Sequence, residues 1–133
     1  MKIASTFDRD GDLIVVDATL RGPRASAAVR LVVDTGAALT TLAPNVAAAI
    51  GCGASEAIRR SRVRTAIGTE YGYIARVAGL HVLGTDLRDV AVNVCDLGDD
   101  LDGLLGMNVL GAFNLEIRPR ERRIIVEDLD DGE

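Results

Sequence analysis

Short runs of aliphatic and β-branched residues, separated by closely spaced turn residues, limit this chain to folds built almost entirely from strands. Residues 13–20 and 25–33 are two such runs, and the turn signal Gly22-Pro23 lies between them. The other predicted strands are 2–7, 61–67, 71–77, 80–83, 87–95, 114–117 and 122–126. This succession is typical of an all-β barrel or sandwich.

Two segments predict short helices. Residues 44–50 begin at Pro44, contain three alanines and end before Gly51, which matches the usual start and stop signals of a helix. Residues 107–113 follow Gly106. The 133 residues leave room for one core, so we expect one domain over residues 1–126 and an acidic C-terminal tail over residues 127–133.

The charge of the chain is concentrated at its end. The net charge is −5, and the last seven residues contain five acids and no base, so residues 1–126 are neutral. There is no Trp, and only two Phe and two Tyr. This composition does not favour nucleic-acid binding, which needs basic surfaces or stacked aromatic residues. Arg60, Arg62 and Arg64 alternate like the solvent-exposed face of a strand, and Arg59 precedes them.

The cysteines and the N-terminal residues predict a cytoplasmic domain. Cys52, Cys95 and one histidine are too few for a disulfide framework or a structural zinc site. The first residues lack the apolar stretch of a signal peptide, and no apolar run approaches the length of about 18 residues that a membrane span needs. We therefore expect no membrane partner and no metal.

An aspartate directly follows the most apolar part of a predicted strand. Leu31-Val32-Val33 leads into Asp34-Thr35-Gly36-Ala37. A carboxylate at the end of a buried strand is costly unless its surroundings provide partners, which indicates a functional role. Asp and Gly are also common turn residues, so on this tripeptide alone an ordinary turn is the favoured interpretation.

A second motif, Gly103-Leu104-Leu105-Gly106, lies about 70 residues further along the chain and precedes a predicted short helix. Glycine at such a position lets one backbone pass close to another, as a buried crossing near a catalytic loop requires. By itself the motif also fits a helix entry with a capping glycine.

Together the two motifs resemble those of the retropepsin-like family of aspartic proteases, the single-domain relatives of pepsin. The resemblance spans most of the chain and includes Thr40-Thr41-Leu42. The stretch 106–110, Gly-Met-Asn-Val-Leu, is closer to the bacterial and DNA-damage-inducible branch than to viral enzymes. The resemblance implies an all-β, closed single-domain barrel with one or two short helices. It also implies an aspartic endopeptidase, a peptide-bond hydrolase without a cofactor that cleaves extended segments of peptide or protein substrates.

The resemblance makes Asp34 the catalytic residue. Aspartic proteases use two carboxylates that share one proton, and Asp-Thr-Gly occurs once here, so the second carboxylate would come from another copy in a homodimer. Thr35 would brace the site across the dimer, while Gly36 and Ala37 would border the substrate main chain. The second motif would support this loop through Leu104, Leu105 and Gly106.

The resemblance also implies a mobile flap, the β-hairpin lid that closes over the substrate. It corresponds to residues 67–72, with glycines at its tip to permit motion: Ile67, Gly68, Thr69, Glu70, Tyr71 and Gly72. The substrate would bind beneath it as an added strand. An ordinary hairpin loop is the alternative interpretation of the same residues.

The sequence departs from viral members at the positions that carry their supporting ion pair, where it has Ala38, Leu39 and Met107. Neither partner of that ion pair is present, so no buried charge is left unpaired. Dimer assembly would then rest on apolar packing around Leu39 and Met107, or on the terminal strands.

Two further patterns are weaker. Asp8, Asp10 and Asp12 resemble a calcium loop, but Gly11 is misplaced and no glutamate closes the loop, so a hairpin turn is favoured.

Cys52 and His81 could form a nucleophile and base, although nothing near either residue indicates activation.

Two functions stay open for this chain. One is a homodimeric aspartic endopeptidase, and the other is a non-catalytic retropepsin-like module for dimerisation or peptide binding.

Overall fold

The computed structural model describes residues 1–65, 68–98 and 100–128. Within these ranges the chain is mostly strand, which confirms the all-β prediction. The strands are β1 (Lys2–Thr6), β2 (Asp8–Asp10), β3 (Leu13–Arg21), β4 (Ser26–Val33), β5 (Thr40–Leu42), β6 (Arg59–Thr65), β7 (Gly68–Val82), β8 (Thr85–Val94), β9 (Gly103–Leu105), β10 (Asn114–Arg118) and β11 (Arg123–Glu127). The helices are α1 (Pro44–Ala49) and α2 (Met107–Leu110), and 3₁₀ turns cover Ala54–Glu56 and Pro119–Glu121.

Strand β3 illustrates how the sequence produces the barrel. Its buried residues Val16, Ala18 and Leu20 alternate with the exposed Asp17 and Thr19, because successive side chains of a strand point to opposite faces. One face of β3 therefore packs into the core while the other contacts solvent.

The strands close into a ring. The order β3-β4-β9-β5-β8-β7 returns to its start, because Ala18–Arg21 of β3 also pair with residues 79–82 of β7. Closure leaves no open edge within the ring, which confirms the predicted barrel. Strands β2 and β6 extend the sheet beyond it.

The barrel interior fixes the strands that lead to the two motifs. Leu31 of β4, Leu42 of β5 and Leu105 of β9 are completely buried in one core cluster. Burying one such side chain stabilises the fold by roughly 1.5–3 kcal/mol. Val46 of α1 and Val109 of α2 pack against the same cluster, so both helices cover the barrel that positions the loop at Asp34.

The terminal strands form a separate sheet inside one chain, in the order β1-β11-β10. Ile3 pairs with Val126, and Leu115 pairs with Val126 from the other side. Strand β11 therefore has a neighbour on both edges. Glu127, which the sequence analysis assigned to the acidic tail, is the last residue of β11, and residues 129–133 lie outside the described ranges.

Two predicted strands, 71–77 and 80–83, are one continuous strand, β7. The glycines within it allow close packing and do not break the strand. A Cβ on Gly72 would lie 2.1 Å from the carbonyl oxygen of Val94, and a Cβ on Gly79 would lie 2.8 Å from the guanidinium of Arg21.

The segment from Asp8 to Asp12, for which the sequence favoured a hairpin turn, contains a short strand as well as the turn. Asp8–Asp10 form β2, and the turn is made at Gly11, which has a φ of 61°. Asp8 is bound by Arg30 at 2.8 Å. No group of three or more His, Cys, Asp or Glu side chains in the described ranges could hold a metal ion. The antiparallel pairing of β2 with β3 is the hairpin that the sequence favoured for this segment.

No helix within the described residues is both long enough and apolar enough to cross a membrane.

Candidate active site

Asp34 begins a tight loop at the end of β4. Its backbone N–H donates to the carbonyl oxygen of Leu105 at 3.0 Å, which continues the pairing of β4 with β9. The N–H of Gly36 donates to the Asp34 carboxylate at 2.9 Å, and the N–H of Ala37 donates to the Asp34 carbonyl at 3.2 Å. These bonds orient a partly buried carboxylate and leave Thr35 exposed at the apex of the loop.

The structure brings the two predicted motifs together. Strand β9 lies between β4 and β5, parallel to the first and antiparallel to the second. A Cβ on Gly103 would lie 2.4 Å from the Thr41 carbonyl oxygen, and a Cβ on Gly106 would lie 2.6 Å from the backbone of Leu39. Both glycines therefore make the close backbone crossing that the sequence analysis expected.

A polar network between the buried Thr40 and the exposed Asn108, which was not predicted from the sequence, joins α2 to β5. The Asn108 side-chain oxygen accepts hydrogen bonds from the Thr40 N–H at 2.8 Å and from the Thr40 hydroxyl at 2.9 Å. The Asn108 amide donates to the Ala91 carbonyl at 2.8 Å, and Gly106 N–H donates to the Thr40 hydroxyl at 3.1 Å. Satisfied polar networks of this kind hold a single geometry. The signal for this network in the sequence is that Thr40 and Asn108 are polar residues directly beside the apolar residues Leu39 and Val109.

The first residues of α2 also bind the Asp34 loop through backbone hydrogen bonds. Met107 N–H donates to the Ala37 carbonyl at 2.7 Å, and Asn108 N–H donates to the Ala38 carbonyl at 3.0 Å. The second motif therefore supports the loop through backbone bonds. The Met107 side chain remains 42% exposed beside it.

Asp34 opens into a cleft of about 610 Å³. Gly36, Ala37 and Leu104 contribute to the floor around it. One wall comes from the β6–β7 hairpin and the other from the segment after β8. These walls contain Val63, Arg64, Glu70, Cys95, Asp96 and Leu97.

The predicted flap belongs to the hairpin formed by β6 and β7. Of its two glycines, Gly68 lies at the far end of the hairpin and Gly72 lies four residues further along β7. Thr65 pairs with Gly68, and Ile67 lies outside the described residues. The other predicted flap residues belong to β7, in the order Gly68, Thr69, Glu70, Tyr71, Gly72. Gly72 packs against β8, where a Cβ would lie 2.1 Å from the Val94 carbonyl oxygen, so its small size allows close contact between the strands.

Two buried polar side chains fix the base of the hairpin. The Ser61 hydroxyl of β6 donates to the side-chain oxygen of Asn93 in β8, and the Asn93 amide donates to the Cys95 sulfur at 3.6 Å. Asn93 is 3% exposed. This anchor, close to the cleft wall, limits any movement of the hairpin to the part beyond Ser61.

The pKa of the Cys95 thiol depends on two acidic side chains at one end of the cleft. Burial raises the pKa of Cys95, and the carboxylates of Glu70 and Asp96 raise it further, while the hydrogen bond from Asn93 lowers it. Both carboxylates therefore lie near this thiol, which stays protonated at neutral pH.

Cys52 and His81 do not form the pair that the sequence allowed. The Cys52 thiol is buried and lies 3.5 Å from the Arg76 carbonyl oxygen, and burial raises its pKa. His81 is exposed and contacts Asp86 at 2.7 Å. A buried thiol with a raised pKa is unsuited to act as a nucleophile.

Replacing Glu70 with Gln should accelerate alkylation of Cys95 by iodoacetamide at pH 8. Removing this carboxylate lowers the raised pKa of Cys95, and the thiolate is the reactive form. The rate is measured by mass spectrometry of native protein, with the exposed acid replacement Glu121→Gln as the control. Equal rates in the two variants would show that Glu70 does not face the thiol.

Comparison with known proteins agrees with this geometry. A family model described as gag-polyprotein putative aspartyl protease matches residues 24–112, a range that contains both motifs and the hairpin. The chain belongs to this family. A comparison with curated proteins gives no match.

Two solved structures resemble this aspartyl protease family member over most of its length. One is a retropepsin-like aspartic protease from Rickettsia conorii, with a TM-score of 0.67 and 23% identity over 95% of this chain and 90% of that chain. The other is the retroviral protease-like domain of Ddi1 from Leishmania major, with a TM-score of 0.63 and 17% identity over 93% of this chain and 99% of that chain. At these identities they establish the retropepsin-like fold.

Proposed function

We propose that the protein is a homodimeric aspartic endopeptidase that hydrolyses peptide bonds in extended polypeptide segments. The observation that carries this proposal is the position of Asp34. Its carboxylate lies at the floor of the cleft, in a loop fixed by the second motif and flanked by the β6–β7 hairpin. Membership of the aspartyl protease family supports the same assignment.

The proposed chemistry needs a pair of carboxylates that holds one proton. The ionised carboxylate takes a proton from a water molecule, whose oxygen attacks the carbonyl carbon of the substrate. The protonated carboxylate donates a hydrogen bond to the carbonyl oxygen. The proton taken from water then passes from that first carboxylate to the amide nitrogen, the C–N bond breaks, and the products leave as a carboxyl group and an amine with the carboxylate pair restored.

The second carboxylate is proposed to be Asp34 of another copy. The surface around the loop suits such a contact, because Thr35, Gly36 and Ala38 are exposed and Met107 adds apolar area. The Thr35 side chain has no hydrogen bond to the described part of its own chain. Strand β11 is paired on both edges, so we place the dimer contact at the Asp34 loop and Met107, and not on that strand.

The cleft is suited to a peptide in extended form. The backbone of Gly36 is accessible on one side of the cleft, and a strand of the β6–β7 hairpin forms the opposite side. A peptide can therefore bind between them as an added strand. Val63, Leu97 and Leu104 line the same space. We therefore propose that an apolar substrate side chain occupies the cleft beside Asp34.

Activity should depend on protein concentration. If the active species is a dimer, the cleavage rate per chain of a quenched fluorescent peptide will rise with concentration and then level off. Sedimentation of the same samples should show the dimer growing in parallel. A constant rate per chain at concentrations where the protein sediments as a monomer would contradict the dimeric site.

The rate should also rise and then fall across an acidic-to-neutral pH series, because the pair must hold one proton. If a peptide library and the protein itself remain uncleaved at every pH while peptides still bind, the non-catalytic peptide-binding module replaces this proposal.

A further inference from the structure

The outer face of the β6–β7 hairpin carries an unusual concentration of unpaired positive charge. Four of the seven residues of β6 are arginines, and all four are exposed: Arg59, Arg60, Arg62 and Arg64. Within residues 1–65, 68–98 and 100–128, none of them forms an ion pair, whereas Arg30 and Arg118 do. Neighbouring like charges repel one another, so this strand would be stabilised by an acidic partner.

Aromatic side chains lie opposite these arginines. Tyr71 pairs with Arg62 across the hairpin and is 72% exposed, and Tyr73 pairs with Arg60. Ser61 points the other way, into the barrel, where it meets Asn93. We call the set Arg60, Arg62, Arg64, Tyr71 and Tyr73 the arginine face. Arginine and tyrosine are the residue types that most often dominate binding energy at protein interfaces.

A groove of about 560 Å³ runs beside the arginine face. Arg60, Tyr71 and Tyr73 line one side, and Ala54 and Ala57 of the neighbouring turn line the other. The small side chains make it a shallow, partly apolar trough with a cation at its edge. Its shape suits a polypeptide segment better than a single ion.

The arginine face is continuous with the cleft. Arg64 lies near the hairpin tip and also lines the space that contains Asp34. A polypeptide that leaves the cleft past Arg64 therefore meets Arg62 and Arg60 next.

We propose that the arginine face binds an acidic segment of the substrate, next in sequence to the segment held in the cleft. This proposal rests on the proposed function, because it names the class of substrate for that site. Nucleic acid is a poorer fit, since residues 1–126 are neutral overall and the cations occupy a single strand.

The chain's own acidic end is also a poorer fit in cis. Asp128 N–H bonds to the Met1 carbonyl, and Ile3 of the same sheet packs against Gly84. Gly84 lies two residues after the end of β7, whereas the tip of the β6–β7 hairpin lies before the start of β7, at the opposite end of this 15-residue strand. Residues 129–133 span at most about 18 Å even when fully extended, which is short for reaching the arginine face from Asp128.

Binding is tested separately from cleavage, in the Asp34→Asn variant of the full chain. The probe is fluorescein-labelled deca-glutamate, followed by fluorescence anisotropy at low salt. Arg60→Gln/Arg62→Gln should weaken binding about tenfold, since each exposed ion pair contributes up to about 1 kcal/mol. Arg88→Gln/Arg120→Gln removes the same net charge from exposed arginines elsewhere and should leave the affinity unchanged. Added salt should weaken binding further.

Three results would overturn the proposal. The first is no binding of deca-glutamate, or an equal loss in both arginine variants. The second is tighter binding of a deca-thymidine oligonucleotide, which would indicate nucleic acid. The third is a large gain in affinity when residues 129–133 are deleted, which would indicate that the chain's own end occupies the face.

Cleavage by the enzyme with Asp34 intact then links the face to the substrate. For a fluorescent peptide with an acidic flank, the Arg60/Arg62 variant should raise KM about tenfold and leave kcat unchanged. The same peptide with a neutral flank should show no difference between variants. If nothing is cleaved but deca-glutamate still binds at the arginine face, the proposed function fails while the binding surface stands.

Discussion

Replacing Asp34 with Asn should reduce kcat for peptide cleavage by at least about 10⁴-fold, because residues that act as one catalytic unit lose nearly all activity when one is removed. Folding should be preserved. The Asn side-chain oxygen can still accept the hydrogen bond from Gly36 N–H, so the loop keeps its shape. Peptide cleavage is measured by mass spectrometry, and dimer mass and peptide affinity by sedimentation and anisotropy.

Asp96→Asn is the matched control. Asp96 lines the same cleft, and its carboxylate also accepts a hydrogen bond from the N–H two residues later, at 2.9 Å from Gly98. If Asp34 pairs with its copy, Asp96→Asn should retain most of the activity. Complete loss in this variant would indicate that the two carboxylates belong to one chain.

Mixing the two forms gives a second control. An equal mixture of exchanging wild-type and Asp34→Asn chains should retain about one quarter of the activity of the same total amount of wild type when both copies must supply Asp34. Independent chains would retain about one half.

Replacing Gly106 with Ala should destabilise the protein by about 3 kcal/mol. The new Cβ would lie 2.6 Å from the Leu39 carbonyl carbon and 2.7 Å from the Thr40 nitrogen. Both are backbone atoms that cannot move aside without shifting the Asp34 loop. The free energy of unfolding from urea titration measures the effect, and activity should fall even where the variant is folded.

Gly53→Ala is the control for this substitution. A Cβ on Gly53 meets no atom within 4 Å, and its φ of −70° suits any residue. The free energy of unfolding should change by less than about 0.5 kcal/mol. Equal destabilisation of the two variants would show that the backbone crossing at Gly106 is unimportant.

The sequence allowed prediction of the longer strands and of the helix at Pro44, because alternation and turn residues are local signals. The alternating burial of β3 is an example. Strands β5 and β9 have three residues each and were not predicted as strands. They exist because β9 fits between β4 and β5, a tertiary pairing that no local pattern encodes.

The parts of the candidate site that lie within a short sequence motif could be predicted. Asp34 and Gly106 were found because small and acidic residues interrupted apolar runs. Asn108 was not assigned, since its role depends on Thr40, which is brought beside it only by the fold. The packing role of Gly72 depends on the fold in the same way. From the sequence, Gly72 was expected to provide flexibility. In the fold it lies against Val94 of another strand, where there is no room for a side chain.

The pairing of β1 with β11 has a consequence for how the chain reaches this state. Hydrogen bonds here join residues as far apart as Met1 and Asp128, a separation of 127 positions. Such a contact closes a very long loop, which carries a high entropic cost and slows folding. During synthesis, β1 therefore cannot pair with its neighbour until residues 123–127 have left the ribosome.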